Sequence, residues 1–205
     1  MTFDILVDFA QKLIPARATG GKSLPRLWFL TDHGRVPDPV AVLARLPAGS
    51  GVILRDYEHE RRRELAADLG AAARGKGHLF LVAGDPLLAE AVGADGFHAP
   101  QWQLESRDLR QLRIACPHWM ITAAAHDEQA LDRAAKARAD AALVSPVFAT
   151  QSHPGAPVLG VEGLRRMIEG ARLPVIALGG IEGGTVGALA ELPIAGIAAI
   201  GALAA

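Results

Sequence analysis

Eight short apolar runs, bounded by Gly, Pro or Asp and separated by helix-patterned segments, limit what this chain can fold into more than any other feature. They are Leu27–Thr31, Val52–Arg55, His78–Ala83, Gly96–His98, Met120–Ala124, Ala141–Ser145, Pro174–Leu178 and Gly196–Ile200. Most are near-continuously apolar rather than alternating, as strands buried on both faces of a parallel sheet must be. Segments with helical spacing lie between them: Glu58–Arg74, Pro86–Val92, Ser106–Ile114, Glu128–Ala137 and Gly160–Glu169. Ser106 ahead of Leu109 and Leu112 marks a helix start, and Asp127 just before Glu128 is a fitting N-cap. The runs begin roughly 18 to 33 residues apart, about one βα unit. Eight such units predict an α/β chain folded as a (β/α)8 TIM barrel. The rival, an open doubly wound sheet, usually needs fewer strands, and no GxGxxG follows the first run.

The two ends of the chain depart from the ideal barrel. The last run leaves only Gly201–Ala205, with no room for an eighth helix. Phe3–Leu13 is apolar-periodic and precedes a Pro/Gly-containing linker, Pro15–Pro25. The expected organisation is a helix and linker over residues 1–25 and a barrel over 26–205, a single domain overall. The extra N-terminal helix would cover surface that a C-terminal helix normally covers.

Composition narrows the function classes. The single cysteine, Cys116, excludes an intramolecular disulfide and a multi-cysteine zinc site, and fits a reducing compartment. A formal net charge of −1 provides no electrostatic footprint for nucleic acid or an anionic membrane. No apolar stretch approaches the about 18 residues of a spanning helix. The N-terminus carries Asp4 and Asp8 and does not read as a signal peptide. A cytoplasmic chain that binds neither membrane nor nucleic acid is expected.

A barrel places its chemistry at the C-terminal ends of its strands. In order these ends deliver Thr31, Asp32 and His33; Arg55, Asp56 and Tyr57; Gly84 and Asp85; His98, Gln101 and Gln103; Ala124 and His126; Ser145 and the loop Phe148–Gly160; Gly179, Gly180 and Glu182; and Gly201 and Ala202. None of the four lysines (Lys12, Lys22, Lys76, Lys136) is among them, so Schiff-base chemistry at the strand ends has no nucleophile. Gly179 and Gly180 close a buried run, and Gly201 with Ala202 follows the next. Barrels often hold phosphate at these two loops, which favours an anion cradle over a simple tight turn. The loop 148–160, with Thr150, Ser152, His153 and Gly160, has the length and polarity of a ligand clamp. His98 reads as a hydrogen-bonded core histidine and Gln101 as a rim contact. Asp85 is the best single magnesium ligand. Arg61-Arg62-Arg63 reads most simply as a solvated helix face, ahead of a phosphate contact, because the run lies beyond the helix start.

Together these motifs resemble thiamine phosphate synthase and its relatives in the thiazole tautomerase branch, from about Leu27 to Leu203. The supporting pieces are Leu30-Thr31-Asp32, Leu54-Arg55, Asp95-Gly96-Phe97-His98 with Gln101, His126, Pro146-Val147-Phe148-Ala149-Thr150 and Gly179-Gly180-Ile181. The resemblance implies a barrel that joins a hydroxymethylpyrimidine diphosphate to a thiazole phosphate. In that family magnesium-bound diphosphate leaves first, and the thiazole nitrogen captures a pyrimidine-stabilised carbocation. Catalysis there is mainly electrostatic. The roles that follow are catalytic for Arg55, Asp85, His126 and His153. Gln101, Thr150, Ser152, Gly160, Gly179, Gly180, Gly201 and Ala202 would bind substrate and phosphate, and Asp85 would bind magnesium.

The chain departs from the family pattern at several of these positions. The family's Asn-Asp after the third strand is Gly84-Asp85, its second magnesium-binding Asp is Gln103, and the lysine after the second-strand Arg is Tyr57. The Gln ahead of that Arg is Ile53, the lysine closing the sixth-strand motif is His153, and two serines are Ala124 and Gly201. The tautomerase branch has a His where this chain has Pro146. Charge-assisted contacts contribute roughly 1.5–3 kcal/mol each, so the losses fall on the diphosphate half of the site. Two alternatives stand beside the synthase: an enzyme for another phosphorylated heterocycle using His126 or His153 as acid–base, and a non-catalytic barrel that binds a phosphorylated ligand. The expected partners are small phosphorylated heterocycles, with a homodimer left open.

Overall fold

A computed structural model describes residues 2–18, 21–104, 107–150, 155 and 157–205. The eight apolar runs form eight parallel strands: β1 (Leu27–Leu30), β2 (Gly51–Leu54), β3 (Leu79–Ala83), β4 (Gly96–Ala99), β5 (Met120–Ala125), β6 (Ala141–Val144), β7 (Val175–Leu178) and β8 (Gly196–Ala199). Each pairs with its successor, and β8 closes on β1 with Phe29 opposite Ala199. The chain is therefore a closed (β/α)8 barrel. Nearly every strand position is buried, which is why the strands read as unbroken apolar runs rather than alternating ones. Thr31, Arg55, Ser145 and Ile200 fall one residue beyond their strands. They belong to the rim, where side chains can face a ligand.

Among the described residues the helices are α1 (Thr2–Lys12), α2 (Pro39–Arg45), α3 (Arg62–Lys76), α4 (Pro86–Ala91), α5 (Arg107–Ala115), α6 (Glu128–Lys136) and α7 (Gly160–Gly170). Asp127 caps α6 as expected, its Oδ1 accepting the Ala130 N–H at 2.6 Å. The sequence pattern did not reveal α2, whose segment PVAVLAR is almost entirely apolar and offers no polar face against which to read a helical period. Its start is nevertheless encoded: Pro39 opens it and Asp38 accepts from the Ala41 N–H at 3.1 Å. The third helix starts four residues later than the pattern suggested, at Arg62 instead of Glu58. No helix among the described residues is long and apolar enough to cross a membrane.

Only 3-10 turns follow the last two strands, at Val186–Leu189 and Gly201–Leu203. The N-terminal helix packs against β1 and both of these turns, with Leu6 fully buried. Arg45, in the last turn of α2, lies 4.5 Å from the centroid of the Phe3 ring and donates to the Ala205 carbonyl at 3.1 Å. The helix thus covers the flank beside β1 and β8.

Candidate active site

The rim between β1 and β2 is an ion-pair network. Asp32 Oδ2 accepts from Arg55 Nη2 at 2.7 Å and from Arg35 Nε at 2.9 Å. The Arg55 backbone N–H donates to Thr31 Oγ1 at 3.0 Å, which fixes where the arginine leaves the strand. Asp56 Oδ1 accepts the His33 backbone N–H at 2.6 Å.

The β4 and β5 ends are joined through Gln101. Its Oε1 accepts the His126 N–H at 2.8 Å, and its Nε2 donates to Asp127 at 3.2 Å. His126 Nδ1 lies 2.7 Å from the Ser145 carbonyl oxygen. A carbonyl can only accept, so Nδ1 carries the proton and a neutral ring has its lone pair on Nε2. Beneath them His98 is buried and bonded through Nδ1 to Thr122 Oγ1 at 2.9 Å. Burial, and then the charges of Arg55 and His126, lower its pKa to about 3. His98 is a neutral core histidine, as its place inside an apolar run suggested, and it lies within electrostatic reach of both candidate catalytic groups.

Three departures from the family pattern meet in space. The Tyr57 ring packs on Gly84, and Gln103 Nε2 donates to the Gly84 carbonyl at 2.9 Å. Gly84 has a φ of +75°. Desolvation raises the Tyr57 pKa above its usual value despite the nearby guanidinium groups of Arg55 and Arg62, so the phenol stays neutral.

Arg62 corrects the reading of the arginine run as a solvated face. Its side chain is only 14% exposed. Nε donates to the Asp56 carbonyl at 2.9 Å and Nη2 to the Ala83 carbonyl at 2.6 Å, joining the ends of β2 and β3. Its Nη1 stands 3.8 Å from Asp85 Oδ2. Arg61, by contrast, is exposed and its guanidinium pairs with Glu64 in the first turn of α3.

These contacts do not fit a two-carboxylate magnesium site. Asp85 caps α4, its Oδ1 accepting the Leu88 N–H at 2.9 Å, and its other oxygen faces Arg62. Gln103 turns its amide nitrogen to Gly84, and its Oε1 is sealed from solvent. Asp32 and Asp127 are engaged with guanidinium and backbone N–H groups, and Asp56 binds the His33 N–H through Oδ1 while its buried Oδ2 stands alone, a single oxygen rather than a pair of carboxylates. Among the described residues no group of three or more His, Cys, Asp or Glu side chains is arranged to hold a metal ion. Glu105, the carboxylate two residues after Gln103 in the sequence, lies outside the described residues.

The ends of β7 and β8 offer backbone donors. The N–H groups of Gly180, Gly201 and Ala202 donate to no acceptor among the described residues. Gly179 and Gly180 also have a second job. A Cβ on Gly179 would lie 2.8 Å from Pro146 Cα, and one on Gly180 would lie 2.7 Å from Phe148 Cβ and press on the Ala149 carbonyl. Both glycines are therefore needed for the close approach of the β6 and β7 loops. Thr185 holds that loop from behind, donating to the Gly180 carbonyl at 2.8 Å and accepting the Glu182 N–H at 3.0 Å. Sequence reasoning missed Thr185, for which an ST-turn offset from Glu182 was the available signal. Gly160 spends its N–H on the Val147 carbonyl at 2.9 Å and opens α7 at a φ of +63°, so it turns the chain and leaves no donor for an anion. Thr150 is half-buried. Ser152 and His153 lie outside the described residues.

Fold and rim together define a (β/α)8-barrel protein whose polar groups gather at the C-terminal ends of the strands. The family model described as thiamine monophosphate synthase matches residues 27–203, and the chain belongs to that family. It is 32% identical over 200 residues to the thiamine-phosphate synthase of Geobacillus kaustophilus, covering 92% of this chain and 89% of that one. With the thiamine-phosphate synthase of Archaeoglobus fulgidus it shares 31% identity over 184 residues, covering 87% and 85%. The solved structure of a thiamine phosphate pyrophosphorylase from Pyrococcus furiosus superposes with a TM-score of 0.72 at 26% identity, covering 88% of each chain.

Proposed function

We propose that this chain is a thiamine-phosphate synthase, joining hydroxymethylpyrimidine diphosphate to a thiazole phosphate and releasing diphosphate. The observation that carries the reading is similarity to proteins of that name along nearly the whole barrel. In the reaction the C–O bond between the pyrimidine methylene and diphosphate breaks, and the thiazole nitrogen forms a C–N bond to that carbon. No protein side chain bonds to the substrate. The protein's work is to hold two anions, align the nucleophile and exclude water.

The N–H groups of Gly180, Gly201 and Ala202, which donate to no acceptor among the described residues, suit the thiazole phosphate. Arg55 faces the diphosphate half of the site. Gln101 positions His126, whose Nε2 is the group available to accept a proton or hydrogen bond. Thr150, with Ser152 and His153 further along the same loop, supplies hydroxyl and imidazole contacts. Magnesium enters no step of this account, because the described carboxylates do not fit it. The reading carries a cytoplasmic enzyme of small phosphorylated heterocycles and is compatible with a homodimer.

The test is a synthase assay with both substrates, in magnesium and in chelator, quantifying thiamine phosphate. Product formation is expected. A folded protein that binds the thiazole phosphate but forms no product under either condition overturns the transferase reading in favour of a binding barrel.

A further inference from the structure

The end of the β2–β3 pair contains a cation pocket made of oxygens, and a guanidinium fills it. The carbonyls of Asp56 and Ala83 and the carboxylate of Asp85 converge on Arg62 at 2.9, 2.6 and 3.8 Å. Carbonyl and carboxylate oxygens are the donors that a hard divalent cation takes. Two of the five guanidinium N–H groups are spent on carbonyls, and Nη1 is held only loosely, 3.8 Å from Asp85 Oδ2, so it can turn to an anion. A guanidinium, always charged and forked, suits phosphoryl oxygens well. Around it the neutral Tyr57, Gly84 and Gln103 are packed together, and the ligand would share Arg62 with Asp85 and Arg55 with Asp32.

We propose that Arg62 takes the place of a divalent cation at this rim, and that the chain binds a diphosphate group through Arg62 and Arg55 without magnesium. The diphosphate as ligand rests on the synthase reading, but the independence from metal does not. The arginine is held by strand-end carbonyls, so its charge is fixed before the ligand arrives.

Calorimetry with inorganic pyrophosphate tests this in chelator and in magnesium, corrected for the magnesium pyrophosphate formed in solution. The expected dissociation constants for the unaltered protein agree within about threefold. Arg62→Gln weakens binding in chelator about tenfold or more, the scale of one lost charge-assisted contact, and Arg62→Lys falls between. Binding strengthened tenfold or more by magnesium overturns the proposal. So does no pyrophosphate binding in either buffer, or a folded Arg62→Gln chain that binds like the parent. If Arg62→Gln does not fold, Arg62→Lys and the parent's magnesium comparison decide. Metal-independent binding in a protein that makes no thiamine phosphate removes the synthase reading alone. Magnesium-dependent synthesis with magnesium-dependent binding removes this inference alone.

Discussion

Tyr57 and Gly84 share one space: a Cβ added at Gly84 would sit 2.9 Å from Tyr57 Cε1. The aromatic ring at one strand end and the missing side chain at the next are thus a single structural fact, not two independent substitutions. Gly84→Asn is expected to destabilise the protein by about 1–3 kcal/mol, the usual cost of forcing atoms into a filled space. Asn tolerates the left-handed backbone better than most residues, so the ring is the main obstacle. Combining it with Tyr57→Ala should recover part of that loss. Denaturant melts of the two single variants and the double read the coupling, and simple additivity would show that the two positions are independent.

Arg55→Ala is expected to weaken pyrophosphate binding about tenfold to a hundredfold, the scale of a lost charge-assisted contact. Thiazole phosphate, assigned to the opposite rim, should lose much less. Titrations with each ligand check this, and equal losses would remove Arg55 from the diphosphate half.

Thr185→Val removes the hydroxyl that donates to Gly180 and accepts from Glu182, while leaving side-chain volume nearly unchanged. The expected result is a several-fold weaker affinity for thiazole phosphate with little change in Tm, because the cradle loosens while the core stays packed. Gly180→Asp is a poorer probe, since any side chain there strikes the β6 loop. Calorimetry alongside a thermal melt separates the two effects, and unchanged affinity would place the phosphate elsewhere.

His98 links stability to pH. Its folded pKa is lowered to about 3, against 6.5 for an exposed histidine. Between these values the unfolded chain binds a proton that the folded chain does not, so stability rises with pH. His98's contribution is fully present above about pH 6.5 and fades as pH falls toward 3, by at most about 1.4 kcal/mol per pH unit. Urea midpoints at pH 7, 5.5 and 4.5 should fall less steeply in His98→Gln than in the parent chain. Parallel curves would mean that His98 is not the titrating group.

Removing α1 should expose the flank beside β8 and β1. Leu6 is fully buried, so Leu6→Ala is expected to cost about 2–5 kcal/mol. Deletion of residues 1–20 should lower the Tm further. An unchanged Tm in the truncated chain would show that the barrel stands without this helix.

The barrel was legible because parallel strands are buried on both faces, and such strands leave unbroken apolar runs at βα spacing. Rim positions such as Arg55, Asp85, Gln101 and Gly180 could be named because each lies one or two residues past a strand end. Helix α2 was not legible, because Pro39–Arg45 is apolar at nearly every position and shows no amphipathic period.

Arg62 shows where sequence information ended. Three consecutive arginines look alike on paper, and charge and local spacing alone predict a solvated face. Which of them turns inward depends on the carbonyls of Asp56 and Ala83 and the carboxylate of Asp85, the latter two more than twenty residues along the chain. The same holds for the contacts among Tyr57, Gly84 and Gln103, which sit on three different strand ends. The order and burial of the strands follow from local hydrophobicity, so the sequence alone determined the fold and the list of rim residues. The pairing of those residues depends on side chains from separate βα units converging at one end of a closed barrel. Only the tertiary structure decided which charges are spent on one another and which remain for a ligand.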